Sequence, residues 1–136
     1  MEFFNHLFFD FKGRIGRKAF WLGSLCIVLA QTFVILALAQ VFGIALADMV
    51  SPDLSTDQIN DLADKLDVLG ALTALIFLWP SLAIYAKRWH DRDKSAWWTL
   101  IAFIPIIGQL WAIIELGFFR GSKGPNRFGA DPVAKG

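Results

Sequence analysis

The sequence is poor in the side chains that most often make enzyme centres and metal sites. It contains one cysteine, Cys26, and two histidines, His6 and His90. A single cysteine excludes an intramolecular disulfide, and so few Cys and His residues supply a zinc site poorly. His90 adjoins Asp91, but adjacent residues cannot readily act as a base and its orienting carboxylate, and no Ser or Cys is placed as a nucleophile. We therefore expect no enzyme activity, no cofactor and no metal.

Charge is also missing from long stretches of the chain. Residues 19–47 and 68–86 contain no charged residue, and residues 95–119 contain only Glu115. With 56% hydrophobic residues overall, these runs are long enough to cross a hydrocarbon core of about 30 Å as helices. We predict an all-α membrane protein, a single integral-membrane domain over residues 1–136, with three hydrophobic membrane segments.

The first run could instead be read as a signal peptide, because basic residues precede it and Ala45-Leu46-Ala47 resembles a cleavage site. The run is, however, much longer than the usual signal core of about 7–15 residues. We therefore keep it as the first membrane segment.

The basic residues predict the orientation of the chain. Residues 1–18 and the connection 87–94 are rich in Lys and Arg, whereas the connection 48–67 is rich in Asp. The positive-inside tendency therefore predicts a cytoplasmic N-terminus, an acidic outer loop at 48–67 and a basic cytoplasmic loop at 87–94.

The tail, residues 120–136, conflicts with this scheme, because it is basic although three full spans would leave it outside. In one interpretation the third segment simply crosses the membrane, and the earlier helices determine the orientation despite the basic tail. In the other, Pro105 turns the chain within the membrane and returns it as a re-entrant hairpin, which protein must cover. We favour the simple crossing and leave the re-entrant form as the alternative.

The first residues of the chain form an amphipathic pattern. Phe3, Phe4, Leu7, Phe8 and Phe11 share one side of a helix, which predicts an N-terminal amphipathic helix within residues 1–18, ending near Gly13. It either lies in the membrane interface or packs on the protein's own helices.

The outer connection contains a second signal. Ser55-Thr-Asp-Gln58 matches a capping box, so the second long helix should begin near Thr56, and Pro80 should kink it within the membrane.

Basic and aromatic residues concentrate in three clusters: the N-terminal cluster (residues 13–21), the central cluster (87–98) and the C-terminal cluster (121–129). Arg14, Arg17 and Trp21 have i, i+3, i+7 spacing and would stack on one helical face, where two guanidinium groups beside an interfacial Trp suit a lipid phosphate. The candidate lipid- or partner-binding residues are Arg14, Arg17, Trp21, Arg88, His90, Asp91, Lys94, Trp97, Trp98, Asn126 and Arg127.

These clusters, with Ile104-Pro-Ile-Ile-Gly108 between the last two, resemble the motifs of domain of unknown function 805, the YhaH-like bacterial inner-membrane proteins. The resemblance covers nearly the whole chain. It departs at Gly16, where Ser is more usual, at Lys87 and Trp89, where Arg and Leu are common, and at Phe128, where Tyr is usual. It implies a bacterial plasma-membrane protein without an assigned activity.

We therefore expect a multi-pass protein of the bacterial plasma (inner) membrane whose basic, aromatic cytoplasmic face binds anionic lipid headgroups or a partner protein. Expected partners are membrane lipids, and either a second copy of the chain or another membrane protein, with no nucleic acid. The simplest competing explanation is that Arg17 or Arg88 forms an ordinary structural bridge to Asp91 or Asp93. A subunit of an oligomeric transporter or channel is the alternative function.

Overall fold

The computed structural model describes residues 2–45, 47, 50–51 and 53–133. Within these residues the chain is helical, with no strand and one isolated antiparallel bridge between Asn126 and Gly129. The elements are α1 (Glu2–Phe8), α2 (Arg17–Val41), α3 (Thr56–Asp91), a 3₁₀ helix (Ala96–Phe103), α4 (Ile107–Ile113) and a π-helical turn (Ile114–Phe118).

Helices α2 and α3 are long and apolar enough to cross a membrane, judged by length and composition. Only 11% of the residues in the most apolar stretch of α2, and 22% in that of α3, are buried within the protein. The core helix of a soluble protein would be mostly buried, so these exposed apolar surfaces fit a lipid environment. Helix α2 ends at Val41, before the end of the uncharged run, and Gly43 follows with a φ of +68°.

The predicted start of α3 is confirmed by its capping bonds. The backbone N–H of Ser55 donates to Gln58 Oε1 over 2.9 Å, and the N–H of Gln58 donates to Ser55 Oγ over 3.4 Å. This reciprocal pair satisfies N–H groups that the first helical turn leaves without partners. From Thr56 the helix runs for 36 residues, through Pro80, to Asp91. Residues 87–91 of the predicted cytoplasmic loop are therefore helical.

The third hydrophobic segment is not one helix. The 3₁₀ helix ends at Phe103, Ile106 has a φ of +62°, and α4 then packs back against the 3₁₀ helix. Gly108 permits this return, because a Cβ at this position would overlap the carbonyl oxygen of Ile101. The continuous helix expected for a simple crossing is thus absent from this segment, and the break lies at Pro105, where the alternative interpretation put it.

The chain divides into two compact units, residues 1–27 with 79–136, and residues 28–78. The smaller unit has an apolar cluster of buried Ala39, Ile44 and Leu69, against which Leu38, Leu62 and Leu66 pack. The larger unit contains all the buried charged residues of the described chain and all three sequence clusters, so the candidate site lies there.

Helix α1 is shorter than predicted. Leu7 and Phe8, two members of its apolar side, are 6% exposed, whereas Phe4 is 60% exposed. The buried ammonium of Lys87 donates to the carbonyls of His6 and Leu7, the latter over 2.6 Å, and so caps the end of the helix. Part of the apolar side therefore packs on the protein, and an interfacial position for the helix remains a prediction.

Candidate functional site

Asp91, at the end of α3, is the centre of a buried ionic group. Its carboxylate is almost fully buried, and Oδ1 accepts from Nε and Nη2 of Arg14 over 3.1 and 3.0 Å. Oδ2 accepts from Nη1 of Arg88, one turn earlier in the same helix. One carboxylate thus lies between two buried guanidinium groups, an arrangement that stabilises both cations only while all three partners remain.

Arg14 connects this ionic group to the C-terminal cluster. Its Nη2 also donates to the carbonyl of Ser122 over 2.7 Å, and its Nη1 donates to the carbonyls of Gly124 and Gly129 over 2.8 and 3.2 Å. Every N–H of the guanidinium group therefore has an acceptor within the protein. The expected stacking of Arg14 with Arg17 on one helical face is wrong, because α2 begins only at Arg17 and Arg14 is buried before it.

Arg88 fixes the end of the third hydrophobic segment. Its Nε donates to the carbonyl of Leu116 and its Nη2 to that of Phe119, each over 2.6 Å. These carbonyls lie at the end of the π-helical turn, where the backbone has no further helical N–H to accept from. The predicted structural bridge between Arg88 and Asp91 is present, whereas Arg17 instead donates to the carbonyl of Phe118 over 3.1 Å.

The backbone after this turn folds over Asp91. The N–H and the hydroxyl of Ser122 donate to the Asp91 carbonyl over 2.8 and 3.2 Å. The side-chain amide of Asn126 donates to the carbonyl of His90 over 2.8 Å and to Ser122 Oγ over 2.9 Å. Gly121 is required in this turn, because a Cβ there would overlap the Asp91 carboxylate.

The ring of His90 makes a neighbouring contact. It stacks on Phe128 with ring centroids 3.9 Å apart and planes 7° from parallel, and its Nδ1 lies 3.2 Å from the carbonyl oxygen of Gly13. A carbonyl can only accept, so Nδ1 carries the proton. His90 thus bonds a backbone carbonyl of the N-terminal cluster.

Together these contacts define the polar clamp, which consists of Arg14, Arg88, Asp91, Ser122 and Asn126. It brings together the N-terminal, central and C-terminal clusters, whose members are far apart in the sequence. Two guanidinium groups and one carboxylate leave the clamp with one net positive charge, but every N–H of Arg14 is already bonded within the protein.

Trp21 extends the contacts of the N-terminal cluster. Its indole Nε1 donates to the carbonyl of Gly117 over 3.2 Å, and a Cβ at Gly117 would lie 2.6 Å from Trp21 Cζ2. The ring remains 46% exposed, as expected for an indole with one end apolar and the other hydrogen-bonded.

A second ionic group surrounds Glu115, the single charge of the third segment. Arg92 and Lys94 contact its carboxylate over 3.0 and 2.8 Å, and the Lys94 ammonium lies 4.8 Å from the ring centroid of Trp98. The neighbouring Trp97 is 78% exposed. This group joins the central cluster to the final helical turn and presents aromatic surface outward.

Among the described residues, the remaining cations of the larger unit are exposed. Arg127 has an ion pair with Asp93 at 3.4 Å, with both side chains more than half exposed. We define the exposed basic face by its members in the described chain: Lys12, Arg17, Lys18, Arg120, Lys123 and Arg127.

Asp131, an acidic residue of the tail, accepts hydrogen bonds from the backbone of the tail. It accepts from the backbone N–H of Val133 and of Gly124 over 2.9 and 3.0 Å, and these hydrogen bonds lower the pKa of its carboxyl.

A cleft of about 560 Å³ lies at the beginning of α2. It is lined by residues 14–19 together with His6, Leu7, Pro132 and Val133. Its walls are mostly apolar, while Arg17 and Lys18 supply charge. No group of three or more His, Cys, Asp or Glu side chains in the described residues could hold a metal ion.

The sequence did not point to Ser122, Gly121, Lys87 or Glu115 as parts of this assembly. For Glu115 a signal existed, because it is the only charge in an apolar run and so must have a partner or reach water. Ser122 and Gly121 lie in the C-terminal cluster, but their individual contacts depend on how the tail folds back.

Comparison with known proteins identifies related chains. The model of the family described as "Protein of unknown function (DUF805)" matches residues 8–130. The chain is 33% identical over 122 residues to the Inner membrane protein YhaH of Escherichia coli strain K12, covering 90% of this chain and 86% of YhaH. It is 30% identical over 123 residues to the Inner membrane protein YhaI of the same strain, covering 90% of this chain and 85% of YhaI. No solved structure matches it significantly.

The named location of these relatives and the two long apolar helices both support a membrane location. The match extends over all three clusters and all the members of the polar clamp. The chain is a membrane protein that belongs to the DUF805 family of proteins of unknown function.

Proposed function

We propose that this chain is a multi-pass protein of a bacterial inner membrane whose exposed basic face binds anionic lipid headgroups. The observation that carries the proposal is the division of its cations. Arg14, Lys87 and Arg88 are buried and bonded within the chain, whereas the six cations of the exposed basic face lie at the surface. The second set is accessible to an external ligand, whereas the first set is buried.

The polar clamp supports the placement of all three clusters on one side of the membrane. Arg14 bonds the segment before α2 to the tail, and Asp91 bonds the end of α3 to both. Residues in hydrogen-bond contact cannot lie on opposite sides of a bilayer about 30 Å thick. The Lys and Arg content of these segments favours the cytoplasmic side.

A re-entrant third segment follows from this proposal. Two spans, α2 and α3, return the chain to the side where it began, so the 3₁₀ helix and α4 must enter and leave on that same side. The break at Pro105, the left-handed Ile106 and the close approach at Gly108 are the features that such a turn needs. Arg88 then holds the returning end by the carbonyls of Leu116 and Phe119.

Labelling of the tail tests this topology. Ala130→Cys, in a Cys26→Ser background, is treated on intact cells with a thiol reagent that cannot cross the membrane. We expect no labelling until the membrane is opened, while Asn60→Cys in the same background labels from outside. Labelling of Ala130→Cys on intact cells would contradict both the re-entrant segment and the single cytoplasmic face.

The lipid proposal has its own test, independent of topology. Near an anionic surface each Lys or Arg contributes roughly 1 kcal/mol, so several together should enrich anionic lipid around the protein. The triple variant Lys12→Gln, Arg120→Gln, Lys123→Gln is reconstituted into phosphatidylcholine bilayers that contain some phosphatidylglycerol, and the phosphatidylglycerol that co-purifies is measured.

We expect the triple variant to lose much of this enrichment, and Lys65→Gln, in the predicted outer connection, to keep it. Equal enrichment in all three proteins would refute lipid binding by this face. The same preparation distinguishes the alternative function, because a pore from so few spans per chain needs several chains, and particles of that size would favour a transporter or channel subunit.

A further inference from the structure

The cleft at the start of α2 combines two properties that a flat basic surface lacks. It has a volume of about 560 Å³, within the range of small-molecule sites, and it has apolar walls beside cationic groups. Leu7, Ile15 and Val133 contribute to the walls, and Arg17 and Lys18 line the same space. A ligand that fits must therefore have both an apolar part and negative charge.

The two cations of the cleft are available for such a ligand. Lys18 is exposed, and its ammonium has no hydrogen bond or ion pair within the part of the chain that is described. Arg17 uses Nη1 for the carbonyl of Phe118, which leaves Nε and Nη2 without a partner among the same residues. A guanidinium edge and an ammonium that line the same cleft suit the non-bridging oxygens of a phosphate.

The buried Arg14 also lines the cleft but does not contribute to binding. All its N–H groups are bonded to Asp91 and to tail carbonyls. It acts instead by fixing the tail that carries Val133, so the cleft wall depends on the polar clamp.

We infer that this cleft binds the headgroup of a single anionic phospholipid, with the phosphate at Arg17 and Lys18 and the glycerol and first acyl carbons along Leu7, Ile15 and Val133. This inference rests on the proposed lipid binding and narrows it from a surface to one site. Phospholipid is chosen over free phosphate because most of the cleft lining is apolar, whereas an inorganic anion would leave these walls unused.

Gly16 offers a way to block the cleft without removing charge. A Cβ at this position would lie 3.8 Å from Val133 Cγ2, an ordinary contact distance, and its φ is not in the left-handed region. Gly16→Leu should therefore fill the cleft without backbone strain. The double variant Arg17→Gln, Lys18→Gln removes the charge and leaves the shape, and both side chains are exposed, so folding should persist.

The test is native mass spectrometry of the full chain, released from bilayers of phosphatidylcholine with a minor fraction of phosphatidylglycerol. We expect the unaltered protein to retain one phosphatidylglycerol. Gly16→Leu should lose the bound lipid. In the double variant the fraction of protein with bound lipid should fall at least fivefold, because one surface cation contributes roughly 1 kcal/mol. Lys123→Gln, outside the cleft, should keep it.

Several results would overturn the inference. If Gly16→Leu and the double variant are folded by circular dichroism and still retain the lipid, the cleft is not the binding site. This conclusion holds even if the triple variant of the exposed basic face loses its general enrichment in anionic lipid. If inorganic phosphate displaces the bound lipid as well as short-chain phosphatidylglycerol does, the ligand is a soluble anion and not a lipid.

Discussion

Replacing Asp91 with Asn should cost more than any other single charge removal in this protein. The carboxylate and its two arginine partners are almost fully buried, with side-chain exposures of 3% for Asp91, 1% for Arg14 and 0% for Arg88. Asn keeps the shape but removes the negative charge, so two buried guanidinium groups lose their counter-charge. Breaking a buried pair in this way typically costs about 3–5 kcal/mol.

A matched control exists within the same chain. Asp61 pairs with Lys65 at 2.7 Å, but the two side chains are 65% and 36% exposed. An exposed i, i+4 pair contributes about 0.3–0.5 kcal/mol, so Asp61→Asn should change stability little.

The assay is equilibrium unfolding in mixed micelles, followed by tryptophan fluorescence, with the free energy of unfolding compared among the three proteins. The double variant Arg14→Gln, Asp91→Asn should be less unstable than the sum of its single variants, because the two residues share one interaction. If Asp91→Asn costs no more than Asp61→Asn, the polar clamp does not stabilise the fold and the reasoning fails.

Three further substitutions test other parts of the fold. Gly121→Ala places a Cβ against the Asp91 carboxylate and should cost about 1–3 kcal/mol in the same unfolding assay. Lys87→Met leaves the last carbonyls of α1 without their donor, so trypsin should cleave at Lys12 faster than in the parent protein. Ser55→Ala removes one half of the capping box and should cost about 1 kcal/mol, seen as faster amide hydrogen exchange confined to the first turn of α3.

Local signals in the sequence were sufficient for the long helices. The start of α3 was predictable because Ser55 and Gln58 satisfy each other's backbone groups within one turn. The uncharged runs likewise indicated α2 and most of α3. The length of α1 was wrong because the helical periodicity of its apolar residues continued to Phe11, whereas the helix ends at Phe8.

The site was only partly predictable. Its three clusters were visible as unusual local composition, and the Arg88–Asp91 pair lies at helical spacing. The role of Arg14 could not be predicted, because its partners are Asp91 and residues of the tail. No local sequence rule specifies contacts between residues so far apart in the chain. Because Arg14 lies three residues before Arg17, the sequence predicted that both share one helical face. In the structure Arg14 precedes the helix, which begins at Arg17.

In the proposed re-entrant arrangement, the polar clamp would stabilise a short hairpin within a bilayer. Apolar burial cannot drive helices together in lipid, because the tails are as apolar as the side chains. The hairpin indeed exposes much of its surface, with Leu100 at 55% and Ile107 at 74%. In that arrangement we expect its stability to come largely from polar bonds at the Arg88 end, because Arg88 bonds the carbonyls of the last turn. In Asp91→Asn the loss of protection from hydrogen exchange should accordingly concentrate in residues 96–118, while the middle of α2 remains protected. A loss spread evenly over both would mean that the hairpin is held by packing instead.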